Sequence, residues 1–291
     1  MIIAQMTDIH IGFEPEARPE ELNRQRFRAT LDRLLEQPNE PDCLVLSGDI
    51  TDRGDYGSFA RTAELLADVP FPVHVMVGNH DSREELRRAF PDTMNEGGFI
   101  HGAFEQDGLL VVLLDTLEPG RHGGAFCTAR RDWLRATLQA NRATPTIIFM
   151  HHPPVVSGIG WMDPREDEAW IVNFADAIAG MDQVRAIHCG HLHRQMNGVF
   201  RGVPVHVTPS VAPLVAMDMR PISAETPDSR ALITTEPPTY ALHRWEDGNL
   251  VSHYERISDW EVLAFYSPHL QPMIREMEAE KLAGVPTGRA A

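Results

Sequence analysis

Six short apolar runs punctuate the first two-thirds of the chain: IIAQM at Ile2, CLVLS at Cys43, VHVMV at Val73, LLVVLL at Leu109, TIIFM at Thr146 and RAIHC at Arg185. Each has the length of a strand, and most are rich in Val and Ile. Between them lie amphipathic stretches of helical length, LNRQRFRATLDRLLEQ (Leu22 to Gln37), ARRDWLRATLQA (Ala129 to Ala140) and EAWIVNFADAIAG (Glu168 to Gly180). Strand and helix alternate, which predicts an α/β protein with much of its sheet buried on both faces.

After residue 200 the pattern changes. GVPVHVTPS reads as one more strand, and TYALHRW, EDGN, LVSHYERI reads as a strand, a turn and a returning strand, a hairpin signal. The stretch PISAETPDSRALITTEPPT (221–239) is rich in Pro, Ser and Thr and predicts a long surface loop without regular structure. From Trp260 onward a weak helical pattern, HLQPMIREMEAEKL, leads to an expected frayed end, GVPTGRAA.

Length and composition narrow the class. At 291 residues the chain holds one large domain or two small ones, and 43% hydrophobic with 23% charged residues excludes disordered and fibrous classes. A net charge of −16 repels phosphate backbones at long range, so neither duplex nucleic acid nor an anionic membrane is expected as a main partner. An anionic substrate would have to be attracted locally. The three cysteines, Cys43, Cys127 and Cys189, form no C-x-x-C pair, and the odd number gives no complete disulfide framework. The chain opens directly with MIIAQMTDIH, without the features of a signal peptide, and no apolar run approaches the ~20 residues of a membrane span. These features predict a soluble cytoplasmic protein.

The candidate chemistry sits where the strands stop. The first run ends in Asp8-Ile9-His10, the second in Gly48-Asp49-Ile50-Thr51-Asp52 and the third in Gly78-Asn79-His80-Asp81. The run from Thr146 ends in His151-His152-Pro153-Pro154, and the run from Arg185 ends in Gly190-His191-Leu192-His193. In an open α/β sheet the carboxyl ends of parallel strands share one edge, so residues far apart in sequence can converge there. Carboxylate, imidazole and amide donors without thiolate suit five- or six-coordinate Fe, Mn, Zn or Co better than a structural zinc cage. There are more donors than one ion uses, so two metals are expected.

Taken in order, D-x-H, GD-x-x-D, GNHD, H-x-P and GH-x-H resemble the motif set of the calcineurin-like metallophosphoesterase superfamily, over residues 1 to 195. The start directly at a strand, the MHHPP sequence and the G-x-L-H ending resemble the bacterial class III 3′,5′-cyclic nucleotide phosphodiesterases and related glycerophosphodiesterases. The resemblance implies a four-layer α-β-β-α sandwich. Residues 1–210 would form the catalytic core, and 211–291 a C-terminal loop, β-hairpin and helical tail that joins the second sheet and caps the site or makes a homo-oligomer contact. It also implies one metal held by Asp8, His10, Asp49 and His193 and a second held by Asn79, His151 and His191, with Asp49 bridging. His151 is preferred to His152 because it stands two residues before Pro153. Substrate contacts are implied for Asn79, His80, His152 and His193.

Two divalent ions outweigh the Asp8 and Asp49 carboxylates, which would leave a positive site for a phosphodiester anion. The water they share would be acidified into a nucleophile near neutral pH. His80 is expected to serve the leaving group or the developing charge at phosphorus, since a histidine can donate a proton near neutrality. Asp81 is expected to orient His80 or support its loop, and Asp52 to support in the same way.

Each motif taken alone is ordinary turn chemistry, and their order carries the inference. Several residues stay open. His152 either meets substrate or bonds to a loop. His74 and His188 read as satisfied core histidines, and Cys189 as a small buried hydrophobe. The loops Arg121 to Phe126 and Gly158 to Pro164 either line the pocket, through His122 and Trp161, or simply pack. GDITDRG also resembles the serine/threonine phosphatase pattern, in which Arg53 would grip phosphate, although a surface role fits the following GNHD better. The expectation is a dinuclear phosphodiesterase for small-molecule diesters, cyclic nucleotides first and glycerophosphodiesters second. The alternatives are a phosphomonoesterase using Arg53 and a non-catalytic binding scaffold.

Overall fold

The computed structural model describes residues 1–13 and 21–283. Its elements run β1 (Ile2–Met6), α1 (Leu22–Glu36), β2 (Cys43–Leu46), α2 (Tyr56–Leu66), β3 (Val73–Val75), α3 (Arg83–Ala89), β4 (Gly102–Gln106) and β5 (Leu109–Leu114). They continue with α4 (Thr128–Ala140), β6 (Thr146–Met150), α5 (Ala169–Ile178), β7 (Val184–Cys189), β8 (Met196–Phe200) and β9 (Val203–Val207). Then come β10 (Leu214–Val215), β11 (Ile233–Thr234), β12 (Thr239–Glu246), β13 (Asn249–Arg256) and α6 (Gln271–Ala283).

Two large sheets form. One has the order β13-β12-β1-β2-β3 and the other β4-β5-β6-β7-β9-β8. Within them β1, β2 and β3 are parallel, as are β5, β6, β7 and β9, while the outer partners pair antiparallel. The alternation of side chains along each strand explains the layering. On β5, Leu109, Val111 and Leu113 join Ile3, Val45, Ile147 and Phe149 in a core made from both sheets, while Leu110, Val112 and Leu114 face Leu134 and Phe174 of α4 and α5. On the far side of the first sheet, Ala4, Met6, Leu44 and Leu46 pack against Phe27, Leu31, Phe59 and Leu86 of α1, α2 and α3. Three apolar cores therefore separate four layers, helix, sheet, sheet and helix. Among the described residues no helix is long and apolar enough to cross a membrane.

Some expectations need correction. The predicted structureless loop 221–239 contains β11, which pairs with β10. The hairpin of β12 and β13 joins the sheet of β1, with Ile2 to Gln5 aligned on Arg244 to Ala241. Helices α2 and α3 also appear, each started by a side-chain cap: Asp55 accepts from Ser58 N at 2.9 Å and Ser82 from Glu85 N at 3.4 Å. The contacts divide the chain after Ile257. The second unit holds α6, which buries none of its residues. The expected frayed end, GVPTGRAA, lies outside the described residues.

Candidate metal centre

Asp8, His10, Asp49, His191 and His193 all have left-handed backbone conformations, with φ of 52°, 50°, 49°, 70° and 54°. Asp and His tolerate this region better than most residues, yet its recurrence at three strand ends marks a frame held by its surroundings. Backbone hydrogen bonds supply that frame: Asp8 N and Ile9 N donate to Gly48 and Asp49 carbonyls, and Ala212 N donates to Asp8 O. Asn23 of α1, fully buried, donates from Nδ2 to the His10 carbonyl at 3.0 Å. The glycines that open the second and third motifs leave room for the cluster. A Cβ on Gly78 would stand 2.7 Å from His151 Nε2 and run into the Asp49 carboxylate, and one on Gly48 would stand 2.6 Å from His151 Nδ1.

Within this frame the polar atoms gather in two overlapping groups. On one side, His10 Nε2 lies 3.2 Å from His193 Nε2 and 3.6 Å from Asp49 Oδ2, and His193 Nε2 lies 3.3 Å from Asp8 Oδ1. On the other, His151 Nε2 lies 3.2 Å from Asp49 Oδ2 and 3.8 Å from Asp8 Oδ1, and the ring centroids of His151 and His191 are 5.3 Å apart. Asp49 touches both groups. The trios Asp8, His10, His193 and Asp8, Asp49, His151 each bring one ligand atom per residue within 4.8 Å of the others, the spacing of a metal site.

The outer nitrogens of the rings are fixed by carbonyl or carboxylate oxygens: His151 Nδ1 by Ser47 O at 3.0 Å, His193 Nδ1 by Pro213 O at 2.8 Å and His10 Nδ1 by Asp52 Oδ1 at 3.4 Å. A proton held there leaves the inner nitrogen with its lone pair toward the cluster, the usual setting of a metal-binding imidazole. Asn79 Oδ1 is buried and has no hydrogen-bond partner, an acceptor in want of a cation, while His151 Nε2 faces the Asp49 and Asp8 carboxylates. The donor set fits a pair of divalent ions.

The electrostatics agree. Burial would raise the Asp8 carboxyl, but His193 and His151 outweigh it and hold it below the ordinary value. The same contest, won by His151 and His10, keeps Asp49 well below it. Burial, reinforced by His152 and His151, holds His191 well below the ordinary histidine value. Burial alone would lower His151, yet Asp49 and Asp8 lift it to about 9, so this ring shares the anionic centre that a cation would occupy.

The remaining predicted residues separate. Asp81 turns to the backbone: Oδ2 accepts from Ile50 N at 3.1 Å and Gly78 N at 2.9 Å, and Oδ1 from Thr51 N and Oγ1, both at 3.0 Å. The expectation that Asp81 orients His80 gives way to that of a loop support, since His80 Nδ1 faces the Asp52 carbonyl at 2.8 Å. His80 also packs edge-on against His10 with centroids 4.6 Å apart. His152 is 1% exposed and has both nitrogens engaged, with Thr116 Oγ1 at 2.7 Å and the His122 carbonyl at 3.2 Å, which favours loop bonding over substrate contact. Arg53 is 78% exposed beside Asp52. Trp161 lies at the surface, while its neighbours Ile159 and Met162 are buried.

His74 stacks on Phe104 at 4.5 Å and so bridges the two sheets. His188 corrects the expectation of a satisfied core histidine, because it is fully buried and neither ring nitrogen has a partner among the described residues. Sequence reasoning missed Asp115, fully buried, which takes a two-pronged bond from Arg83 at 2.5 and 2.7 Å and fixes the loop after β5. Its only signal was a lone carboxylate following an apolar strand.

Comparison with known proteins places this geometry. The family described as calcineurin-like phosphoesterase matches residues 1–195. A probable glycerophosphodiester phosphodiesterase of Arcobacter nitrofigilis is 32% identical over 90% of this chain and 95% of its own. A 3′,5′-cyclic adenosine monophosphate phosphodiesterase of Vibrio vulnificus is 26% identical over 90% of this chain and 92% of its own. In fold, the chain is similar to the solved structure of a dimetal phosphatase from Danio rerio, with a TM-score of 0.62 at 15% identity, over 89% of this chain and 96% of that one. With the family match spanning residues 1–195 of 291 and ending just beyond the last histidine of the cluster, the chain belongs to the calcineurin-like phosphoesterase family.

Proposed function

We propose that the chain is a metal-dependent phosphodiesterase for small-molecule diesters, with 3′,5′-cyclic nucleotides the first substrate class and glycerophosphodiesters the second. The observation that carries this reading is the Asp49 carboxylate between two groups of inward-facing donors, beside the unpartnered Asn79 Oδ1. Asp8, His10, Asp49 and His193 would hold one ion, and Asp49, Asn79, His151 and His191 the other, drawn from Fe, Mn, Zn or Co. Such a pair supplies Lewis acidity toward phosphoryl oxygens and acidifies water.

The chain's own residues supply the rest. His80 Nδ1 is held by the Asp52 carbonyl at 2.8 Å, which leaves Nε2 as the nitrogen that would serve a departing ester oxygen as proton donor. Asp81 ties the loops after β2 and β3 together and so keeps Asp49 and Asn79 in register. The names of the Arcobacter and Vibrio relatives support diesters over monoesters. A cytoplasmic location is supported by the unpaired cysteines, Cys43, Cys127 and Cys189. Homo-oligomer formation is supported by the exposed Leu263, Phe265 and Tyr266 of the second unit.

The test is a panel of initial rates on metal-reconstituted protein: bis-nitrophenyl phosphate, nitrophenyl phosphate, 2′,3′- and 3′,5′-cyclic AMP, and glycerophosphoethanolamine. A strong diester preference is expected, and the ranking of the natural diesters selects the substrate class. A monoester preference would overturn the reading.

A further inference from the structure

The loop that follows β5, from Asp115 to Phe126, contributes nothing to the proposed ligand set, yet it is pinned beside the cluster. Arg83 and Arg130 both donate to the Leu117 carbonyl, at 2.6 and 3.2 Å, and Arg130 donates to Asp115 O at 3.0 Å. His152 is the inner strut. A carbonyl oxygen only accepts, so the 3.2 Å approach of His152 Nε2 to His122 O places the proton on Nε2, and Nδ1 then accepts from the Thr116 hydroxyl. The buried ring thus fixes the backbone of His122.

His122 itself is exposed. Its ring centroid lies 4.7 Å from that of His191, and its Nδ1 lies 3.4 Å from Asn79 Nδ2. An amide nitrogen only donates, so Nδ1 accepts and the ring proton of a neutral His122 sits on Nε2. His80 packs on His10 and His122 on His191, so one reachable imidazole stands beside each half of the cluster. A phosphodiester presents two ester oxygens, and a monoester only one.

We infer that His122 is a second substrate-contacting residue, donating to an oxygen of the bound diester on the side of Asn79 and His191, and that His152 is the positioning residue that sets it. The inference rests on the phosphodiesterase reading of the site. The test measures kcat/KM for bis-nitrophenyl phosphate and nitrophenyl phosphate, metal content, and the affinity for inorganic phosphate by calorimetry, all on metal-loaded protein. His122→Ala is expected to lower diester kcat/KM about 10- to 100-fold, the size of a lost hydrogen bond to a charged group. It should affect the monoester less, weaken phosphate binding and leave metal content unchanged, and His122→Gln should recover part of the loss through its amide donor.

His152→Gln, which retains a donor for the His122 carbonyl, should keep more diester activity than His152→Ala, and adding His152→Ala to His122→Ala should cost little further. Unchanged diester activity in His122→Ala, loss of metal from it, or fully additive losses in the double variant would overturn the inference. If the parent protein hydrolyses no diester, the functional reading falls on its own. The phosphate affinity of His122→Ala then decides the role of His122.

Discussion

Asp52 Oδ1 lies 3.4 Å from Nδ1 of His10, while Nε2 of the same ring lies 3.6 Å from the Asp49 carboxylate. The pair is a carboxylate holding an imidazole so that its lone pair faces the cluster, and such outer partners matter about 10- to 100-fold for metal affinity or activity. Asp52→Ala is therefore expected to weaken metal retention by about that factor, and Asp52→Asn, which keeps an acceptor oxygen, by less. Metal titration of the two variants checks the order.

Asn79 and His80 are neighbours with separable tasks. Asn79→Ala removes the unpartnered Oδ1 and is expected to empty or weaken one of two sites, whereas His80→Ala should retain both metals and lose turnover. The expected loss for His80→Ala is about 10²- to 10⁴-fold, the range for a positioned proton donor. Metal analysis beside initial rates decides, and loss of both ions in the His80 variant would refute the division.

Gly78 has no room for a side chain. Its Cβ would meet the Asp49 carboxylate and backbone nitrogen and the His151 ring, none of which can withdraw without leaving the cluster. Gly78→Ala should disrupt metal binding far more than Gly97→Ala or Gly108→Ala, where no neighbouring atom stands within 4 Å. At those two positions the cost is only the strain of a left-handed backbone, φ 59° and 71°. Metal stoichiometry and thermal unfolding of the three proteins give the comparison.

Between the sheets, His188 and His243 stand 4.0 Å apart by centroid, with His206 5.4 Å from His188. His243 bonds to Ser252 Oγ and Gln5 Oε1, whereas His188 bonds to nothing among the described residues. Burial, aided by His206, lowers His243 to about 3, and burial with both neighbours holds His188 well below its ordinary value. The unfolded chain therefore binds more protons than the folded one between about 3 and the ordinary ~6.5, so stability rises with pH through that window. The slope is about 1.4 kcal/mol per pH unit for each such histidine. His188→Leu, which loses no hydrogen bond, is expected to flatten the slope and to stabilise the chain at pH 5. Urea unfolding at pH 5 and pH 7 measures both effects.

Arg53 separates the diester and monoester readings. Its guanidinium is exposed and 3.6 Å from Asp52, outside the cluster. Arg53→Ala should change diester and monoester rates alike and by less than about threefold, within the range of an exposed ion pair. A selective collapse of monoester turnover would restore the phosphatase reading.

The strand ends were legible because each is a short-range event, an apolar run that stops in Asp, Asn or His. Parallel pairing within each sheet and the packing of the two sheets on each other bring those ends together. Of the partners of the rings, the Asp52 carboxylate beside His10 was legible as a support, but the carbonyl partners were not. Ser47, Pro213 and Asp52 each orient a histidine through a carbonyl oxygen that every residue possesses, so side-chain identity carries no trace of it. Strands β4 and β8 escaped notice for a different reason. GAFEQ and MNGVF are half-exposed and contain glycine, and they become strands by pairing with the strong apolar runs of β5 and β9. His122 was visible only as an ambiguous loop histidine, because its place depends on two arginines, Arg83 and Arg130, and on His152.

The left-handed residues at the strand ends have a consequence for metal exchange. Their backbone shape is fixed by hydrogen bonds to neighbouring loops and to Asn23, all of them made by the chain's own groups. The site is thus a socket cut into a finished fold, unlike small domains that exist only while a metal clasps them. Chelation should strip the ions and leave circular dichroism and cooperative unfolding in place. The emptied socket should then accept different first-row ions without refolding, so the supply of ions rather than the history of the chain would set which pair resides there.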